Sequence, residues 1–564
     1  MALLFTGQIM TEFERQADEF ITKEQQFHLG FLPTEQSNPL TRSMEADFKR
    51  SSTEGVRTLQ RADRPVLEMA KRVWKSAEYA KLVAEGISTV ENGGRIIFSG
   101  CGATGRLSIL LESMWRQACA EHADMASRAD AVESIMTGGD YALVRSVEFF
   151  EDYASFGRRQ VEEAAMTSHD MLVAITEGGE TSSVLGTAAE ALDRGCKVFL
   201  LFNNPAKLLC EHLERSRKII EDERVCVLDL YCGPMALAGS TRMQATTSEQ
   251  LIAGSALEKI FHHFSGDGEV DYAHGFEKLL DELEANAPAI ADYIDFEAAV
   301  YSAGGHVTYF ADAFMLDIFT DTTERSPTFM LPPFKRRDDA VSPEPWAFVK
   351  NPLTDAAGVW ARNFRRAPRC LAWLPADYEK MGAARQIQNN PPHIAQTDFF
   401  AFDVGNAPCS GRWATGRDAA VLVGFDTDPA LEAAFAPFAR LAAQSRRFTI
   451  GQGGDVRLSC RGGALDVMRH MAIKLVLNTV STGTMVKLGR VSGNWMSWVD
   501  CTNKKLLDRG TRLLVELAGC DYRTACTALF AAMAEQRNSP AAAEKCSPVQ
   551  LALKTLTARD PQKR

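Results

Sequence analysis

Short apolar runs alternating with segments of helical length constrain this chain more than any other feature. The runs fall at 95–100, 133–137, 171–176, 197–202 and 225–231, with helix-length stretches between them. Strands this short and uniformly apolar must be covered on both faces, which calls for a parallel sheet with helices on either side. A second cycle follows: Gly93-Gly94-Arg95-Ile96-Ile97-Phe98 has a counterpart 211 residues on, Gly304-Gly305-His306-Val307-Thr308-Tyr309, and further strands are expected at 370–374, 419–425 and 447–450. That spacing points to a duplicated domain rather than a solenoid. At 564 residues the chain also exceeds what one core sustains. The expected layout is a mixed N-terminal segment over 1–55, a first α/β unit over 56–290, a second over 291–494 and an Ala-rich helical part over 495–564. Stretches 57–87 and 270–297 read as helical. The proline-rich stretch 327–352, with its charge run Lys335-Arg336-Arg337-Asp338-Asp339, reads as a solvated loop.

The clearest chemical signal is Ser99-Gly100-Cys101-Gly102-Ala103-Thr104-Gly105-Arg106, placed directly after the first strand and opening a helix over 107–119. Glycines let backbone approach a ligand closely. The helix start offers unpaired N–H groups and the positive end of a dipole, and Thr104 adds a hydroxyl; together these suit an anion. The same spacing also fits a dinucleotide site, but that site needs an acidic residue at the end of the second strand, and Glu121 and Asp124 lie before it. Two more polar loops follow strands: Thr176-Glu177-Gly178-Gly179-Glu180-Thr181-Ser182-Ser183, and Gly239-Ser240-Thr241-Arg242, which leads into a helix over 243–262. Loops of this kind converge at the carboxyl edge of a parallel sheet. A phosphate cradle is expected there.

Together these segments resemble the family of bacterial N-acetylmuramic acid 6-phosphate etherases, which carry one sugar-isomerase (SIS) domain, and of glucokinase regulatory proteins, which carry two. The resemblance rests on Gly100 to Arg106, on Gly138-Gly139-Asp140-Tyr141-Ala142 through Glu151-Asp152, and on Gly239-Ser240-Thr241-Arg242-Met243. Its most specific part runs from Lys474 to Asn494 and on to Thr502-Asn503-Lys504-Lys505-Leu506. The resemblance implies two tandem SIS domains of flavodoxin-like, three-layer αβα type with a C-terminal helical domain. It implies a sugar-phosphate site made by Gly102, Ala103, Thr104, Gly105, Arg106, Thr176, Glu177, Gly178, Ser240, Thr241 and Arg242, with Asn503 and Lys505 approaching from the C-terminal part.

The etherase reaction eliminates lactate from an amino-sugar 6-phosphate, so it needs a base for the C2 proton and an acid for the departing ether oxygen. The resemblance implies two glutamates. Glu151 falls on one of them; at the other, in the helix after the glycine loop, this chain has Met114. The second repeat reverses the pattern. Asp321-Thr322-Thr323-Glu324 matches the glutamate segment, whereas Phe310-Ala311-Asp312-Ala313-Phe314-Met315 stands where a glycine loop belongs. One composite site follows as an expectation, with phosphate and Glu151 from the first repeat and Glu324 from the second. There are departures: Glu177 and Glu180 sit where an anion would be repelled unless they turn away, Gln244 replaces a lysine, and Ser182-Ser183 replaces a Pro-Tyr pair.

Three functions fit: a lyase of the etherase type, a non-catalytic sugar-phosphate sensor whose partner would be a sugar kinase, and an aldose–ketose phosphosugar isomerase. The net charge of −11 argues against a nucleic-acid partner. The start, Met1-Ala2-Leu3-Leu4-Phe5-Thr6-Gly7-Gln8, lacks a basic leader, and no apolar run approaches the ~18 residues of a membrane span. The 13 cysteines show no metal-type pairing and read as reduced thiols. A cytoplasmic protein without metal or cofactor is expected. His262-His263 are adjacent on a helix and face apart, and no Gly-Lys-Ser/Thr run suggests ATP use.

Overall fold

A computed structural model describes residues 10–558 apart from 269, 409, 427, 502 and 539–545. The N-terminal run read for a leader and the polar C-terminal tail lie outside the described residues, as does Thr502.

Two five-stranded sheets form the frame, every strand pair parallel. The first contains β1 (Ile96–Gly100), β2 (Val132–Met136), β3 (Met171–Ile175), β4 (Lys197–Phe202) and β5 (Val225–Asp229) in the order 2-1-3-4-5. The second contains β6 (Val307–Phe310), β7 (Ala347–Lys350), β8 (Ala419–Phe425), β9 (Gln444–Gly451) and β10 (Val456–Arg457) in the order 7-6-8-9-10. The two orders are the same, the flavodoxin-like arrangement, in which ligands bind where the order reverses, between the first and third strands. Every residue of β1, β3 and β6 is buried, as continuous apolar strands require.

The second sheet departs from expectation at one strand. The run 370–374 is not in the sheet; it lies as irregular chain against the loop after β2, where Asp140 donates its N–H to Arg369 O at 3.0 Å. The sheet position belongs to β7, inside the stretch read as a solvated loop. That stretch is partly interior: Pro327 lies in the last turn of a helix that ends at Phe329, and Phe329, Leu331, Phe334 and Val349 are core residues. Prolines masked a four-residue strand too short to show a period.

Three long helices join the units. Gln244–Ser265 and Met315–Phe329 pack on Val467–Lys487, which is buried almost all round, as a helix inside a large core must be. The family-like run at 474–494 covers the last four turns of this helix and the turn that follows it. The C-terminal helices Lys504–Ala518, Tyr522–Asn538 and Pro548–Ala558 share an apolar cluster with Ala17 and Phe20 of helix Glu12–Lys23, so the chain's start packs on its end. Among the described residues none of the twelve cysteines is in a disulfide, and no helix is long and apolar enough to cross a membrane.

Candidate functional site

The carboxyl ends of β1 and β3 open into a cavity of about 150 Å³. Its floor is the turn after β1. Gly102 has φ +57°, and the helix Ala103–Glu121 starts directly after it, so the helix start faces the cavity. Gly105 lies one turn in, where a methyl group would meet Met136 Cγ at 2.8 Å. Thr104 is spent inside the turn: its hydroxyl donates to Cys101 O at 2.9 Å and accepts from Cys101 N–H at 3.0 Å. Thr176 is likewise occupied, donating to Thr181 Oγ1 at 3.1 Å; it is Thr181 that lines the cavity.

Arg106 is fully buried and ties the halves together. It donates to Leu143 O, Ala142 O and Ser146 Oγ at 2.8–3.1 Å, and its remaining nitrogen forms an ion pair with Glu324 of the second unit. Glu324 stands on the third turn of Met315–Phe329 and reaches across to within 3.9 Å of a methyl built on Gly102.

The opposite wall comes from the loop Gly239-Ser240-Thr241-Arg242. Gly239 has φ +78°, and a side chain there would strike Arg509 Nε at 2.6 Å. Arg242 is buried, donating to Asp321 Oδ1 (2.9 Å), Ser481 Oγ (3.2 Å) and Thr482 Oγ1 (3.0 Å). Lys474 props the loop from below by donating to Arg242 O at 3.0 Å; burial lowers its ammonium to about 8. Gln244, in the lysine position, bonds Asp63 and Ala236 N–H instead. Ser240 Oγ is buried and, among the described residues, has no hydrogen-bond partner.

The C-terminal part closes the cavity. Asn503 caps Lys504–Ala518 by accepting from Leu506 N–H at 2.8 Å and turns its amide to Glu151 Oε1 at 3.4 Å. Lys505 donates to Glu180 Oε1 at 2.7 Å, and Arg215 donates to Glu180 Oε2 at 2.8 Å. Burial alone would raise Glu180, but these two cations hold it at about 2. Glu177 behaves oppositely. Burial first and the nearby Glu324 carboxylate second push it up to about 7, and the Thr246 hydroxyl donates to it at 3.4 Å. Of the two carboxylates that threatened an anion, Glu180 is answered by cations and Glu177 carries its own proton below about pH 7.

Cys101, Gly102, Ala103, Arg106, Glu151, Glu177, Gly178, Ser240, Thr241, Arg242, Glu324, Asn503 and Lys505 therefore line one cavity, with Thr104, Gly105 and Thr176 just behind it. Sequence reasoning missed Thr137, Ser146 and Arg509, which also line it. Arg509 follows Lys505 by one helical turn, a signal that was available. Its partner Glu35, bonded at 2.6 and 2.8 Å and held at about 2 despite burial by Arg509 and Arg512, lies in a segment with no local pattern. Among the described residues no three metal-ligating side chains come together.

Fold and site define an α/β protein of two SIS-type units, with this cavity lined from both. Residues 78–192 match the family model of the glucokinase regulatory protein N-terminal SIS domain. The chain is 31% identical over 255 residues to N-acetylmuramic acid 6-phosphate etherase of Trichormus variabilis, covering 45% of this chain and 76% of that protein. It is 28% identical over 225 residues to N-acetylmuramic acid 6-phosphate etherase 1 of Bacillus licheniformis, covering 40% of this chain and 67% of the relative. Among solved structures it is similar to tagatose-6-phosphate ketose/aldose isomerase of Escherichia coli, with TM-score 0.42, 11% identity and coverage of 79% and 95%. The chain belongs to the N-acetylmuramic acid 6-phosphate etherase family.

Proposed function

We propose that this cavity binds a sugar phosphate and that the chain is a lyase acting on N-acetylmuramic acid 6-phosphate or a close relative. One observation carries the reading: the helix start at Gly102, Glu324 from the other unit and Lys505 from the C-terminal helices meet around a single cavity. The phosphate sits against the N–H groups after Gly102, with the unpartnered Ser240 hydroxyl as a further donor. Glu151 and Glu324 flank the sugar as the acid–base pair for removing the C2 proton and protonating the leaving oxygen. Glu324 leaves Arg106 to do so, and Arg106 is then released toward the phosphate. The domain layout of 56–290, 291–494 and 495–564 belongs to the same proposal, each part giving at least one group to the cavity.

The regulatory protein match over 78–192 favours a second reading, a sensor that holds the same ligand without turnover and acts on a sugar kinase. The deciding experiment has two steps. Thermal shifts with hexose 6-phosphates should show saturable stabilisation, and the purified protein should release lactate from N-acetylmuramic acid 6-phosphate. Glu324→Gln should abolish release while sparing the thermal shift. Stabilisation without release from wild type selects the sensor; no stabilisation by any hexose phosphate refutes both.

A further inference from the structure

A second cavity, of about 1410 Å³, lies apart from the one described above. It lies at the carboxyl ends of β6 and β8, the place in the second sheet that the first site occupies in the first. Each part of its wall has a counterpart there. Phe314 and Met315 follow β6 as Gly102 follows β1, and Phe425 ends β8 where Glu177 follows β3. Residues 461–466 precede helix Val467–Lys487 as Gly239 to Arg242 precede Gln244–Ser265. Met114, on the helix that opens at the first site, stands where Glu324 stands there. This pocket is thus the pseudo-twofold mate of the first. It has lost the glutamate, and Asp312 fills its loop, accepting from Asn351 Nδ2 at 2.6 Å and Arg362 Nη1 at 3.1 Å.

What remains is organised for another ligand. Of the six non-glycine residues with positive φ among the described residues, three line it: Phe314 at +59°, Arg365 at +51° and Asp466 at +52°. Such backbone is strained for a side chain and gathers at functional sites. Phe314 and Phe425 form an apolar wall with ring centroids 5.9 Å apart, and the Arg469 guanidinium lies 5.4 Å over Phe425. Arg469 Nε is buried and, among the described residues, unpartnered. At the rim Arg365 and Arg461 are exposed and, among the described residues, make no ion pair. Carboxylates on the same wall are answered: Asp317 by His470 at 2.7 Å, Glu282 by Ser459 N–H at 2.7 Å, and Asp466 by Arg469 at 3.5 Å.

We propose that this pocket is a second, non-catalytic ligand site for an organic anion with a flat ring, the ring stacking on Phe314 and Phe425 and the anionic group held by Arg365 and Arg461. The inference does not rest on turnover at the first site. The test is calorimetric titration of the full chain with AMP, adenosine and inorganic phosphate. One AMP per chain should bind, with adenosine and phosphate each at least about tenfold weaker. Arg365→Glu and Arg461→Glu, at exposed positions, should weaken AMP about tenfold or more without moving the melting temperature. Lys505→Met, at the first cavity, should leave AMP binding unchanged. No AMP binding at millimolar concentration overturns the proposal. So does binding that survives both arginine variants, and so does loss of binding in a folded Lys505→Met protein.

Discussion

Replacing Glu177 by Gln separates the electrostatics of the cavity from its shape. Burial and Glu324 lift this carboxyl from an ordinary 4.5 to about 7. A displacement of that size corresponds to about 3 kcal/mol between its two protonation states, and water reaching the side chain from the cavity trims this to about 2 kcal/mol. The sign follows from proton counting. Between pH 4.5 and about 7 the folded chain holds a proton that the unfolded chain has released, so stability falls as pH rises through that window. The penalty is absent below it and fully present above it. Gln has no charge to bury. Glu177→Gln should therefore match wild type near pH 4.5 and exceed it by about 2 kcal/mol near pH 8, a shift of roughly 2 °C in a melt of a chain this size. Ligand binding should follow the same curve: ionised Glu177 repels a phosphate, so wild-type affinity for a hexose 6-phosphate should fall about tenfold relative to the variant from pH 6 to pH 8. Comparing the two proteins at each pH cancels the titration of the phosphate itself. A stability difference that ignores pH, or a variant less stable than wild type at pH 8, refutes the reasoning.

Ser240→Ala removes a hydroxyl with no protein partner. It should leave the melting temperature unchanged and weaken hexose 6-phosphate binding about fivefold to tenfold by calorimetry. Gly239→Ala combines φ +78° with a 2.6 Å clash on Arg509, and should cost about 2 kcal/mol or more in a urea melt. Glu35→Gln leaves the buried Arg509 without its carboxylate, while Arg512 keeps Asp508, and should destabilise by about 3 kcal/mol at pH 7. Glu35 is held at about 2, so its contribution is present above pH 4.5 and lost as pH falls toward 2. The gap between wild type and variant should close over that range.

The sequence was most legible where local rules and function coincide. Apolar runs marked all of the first sheet because its central strands are buried on both faces and even the half-buried edge strand β5 is mostly apolar, and the glycines at 100, 102 and 105 marked the turn after β1 because only that backbone lets a helix start so close to a strand. It was least legible where tertiary contact overrides local pattern. Residues 370–374 have strand-like composition but find no neighbour to pair with, whereas Ala347–Lys350 pairs with β6 despite flanking prolines. Thr104 and Thr176 illustrate a different limit. A hydroxyl in a ligand loop is as useful for closing the turn as for reaching the ligand, and here both close turns. Glu35 was illegible because its role exists only once residue 509 is folded beside it.

Two departures from the resemblance, a missing glutamate in one repeat and a missing glycine loop in the other, look like separate defects along the chain. In space they are one. Helices Ala103–Glu121 and Met315–Phe329 each begin at one pocket and extend to the other, so every pocket takes a helix start from its own unit and a side chain from its neighbour. Met114 and the Phe310–Met315 turn both fall on the larger pocket, while Gly102 and Glu324 both fall on the smaller. Two copies related by exact symmetry cannot differ in this way, because each substitution would appear in both sites. Within one chain the positions are independent, and the smaller pocket keeps the glycine turn and both glutamates while the larger is free to change. The pairing of losses also explains why neither repeat has to retain a complete site. The groups that meet across the interface, Arg106 on Glu324 and Arg242 on Asp321, are ion pairs buried between units. Breaking one partner leaves the other buried and uncompensated, so the same contacts that assemble the cavity also hold the two units in register.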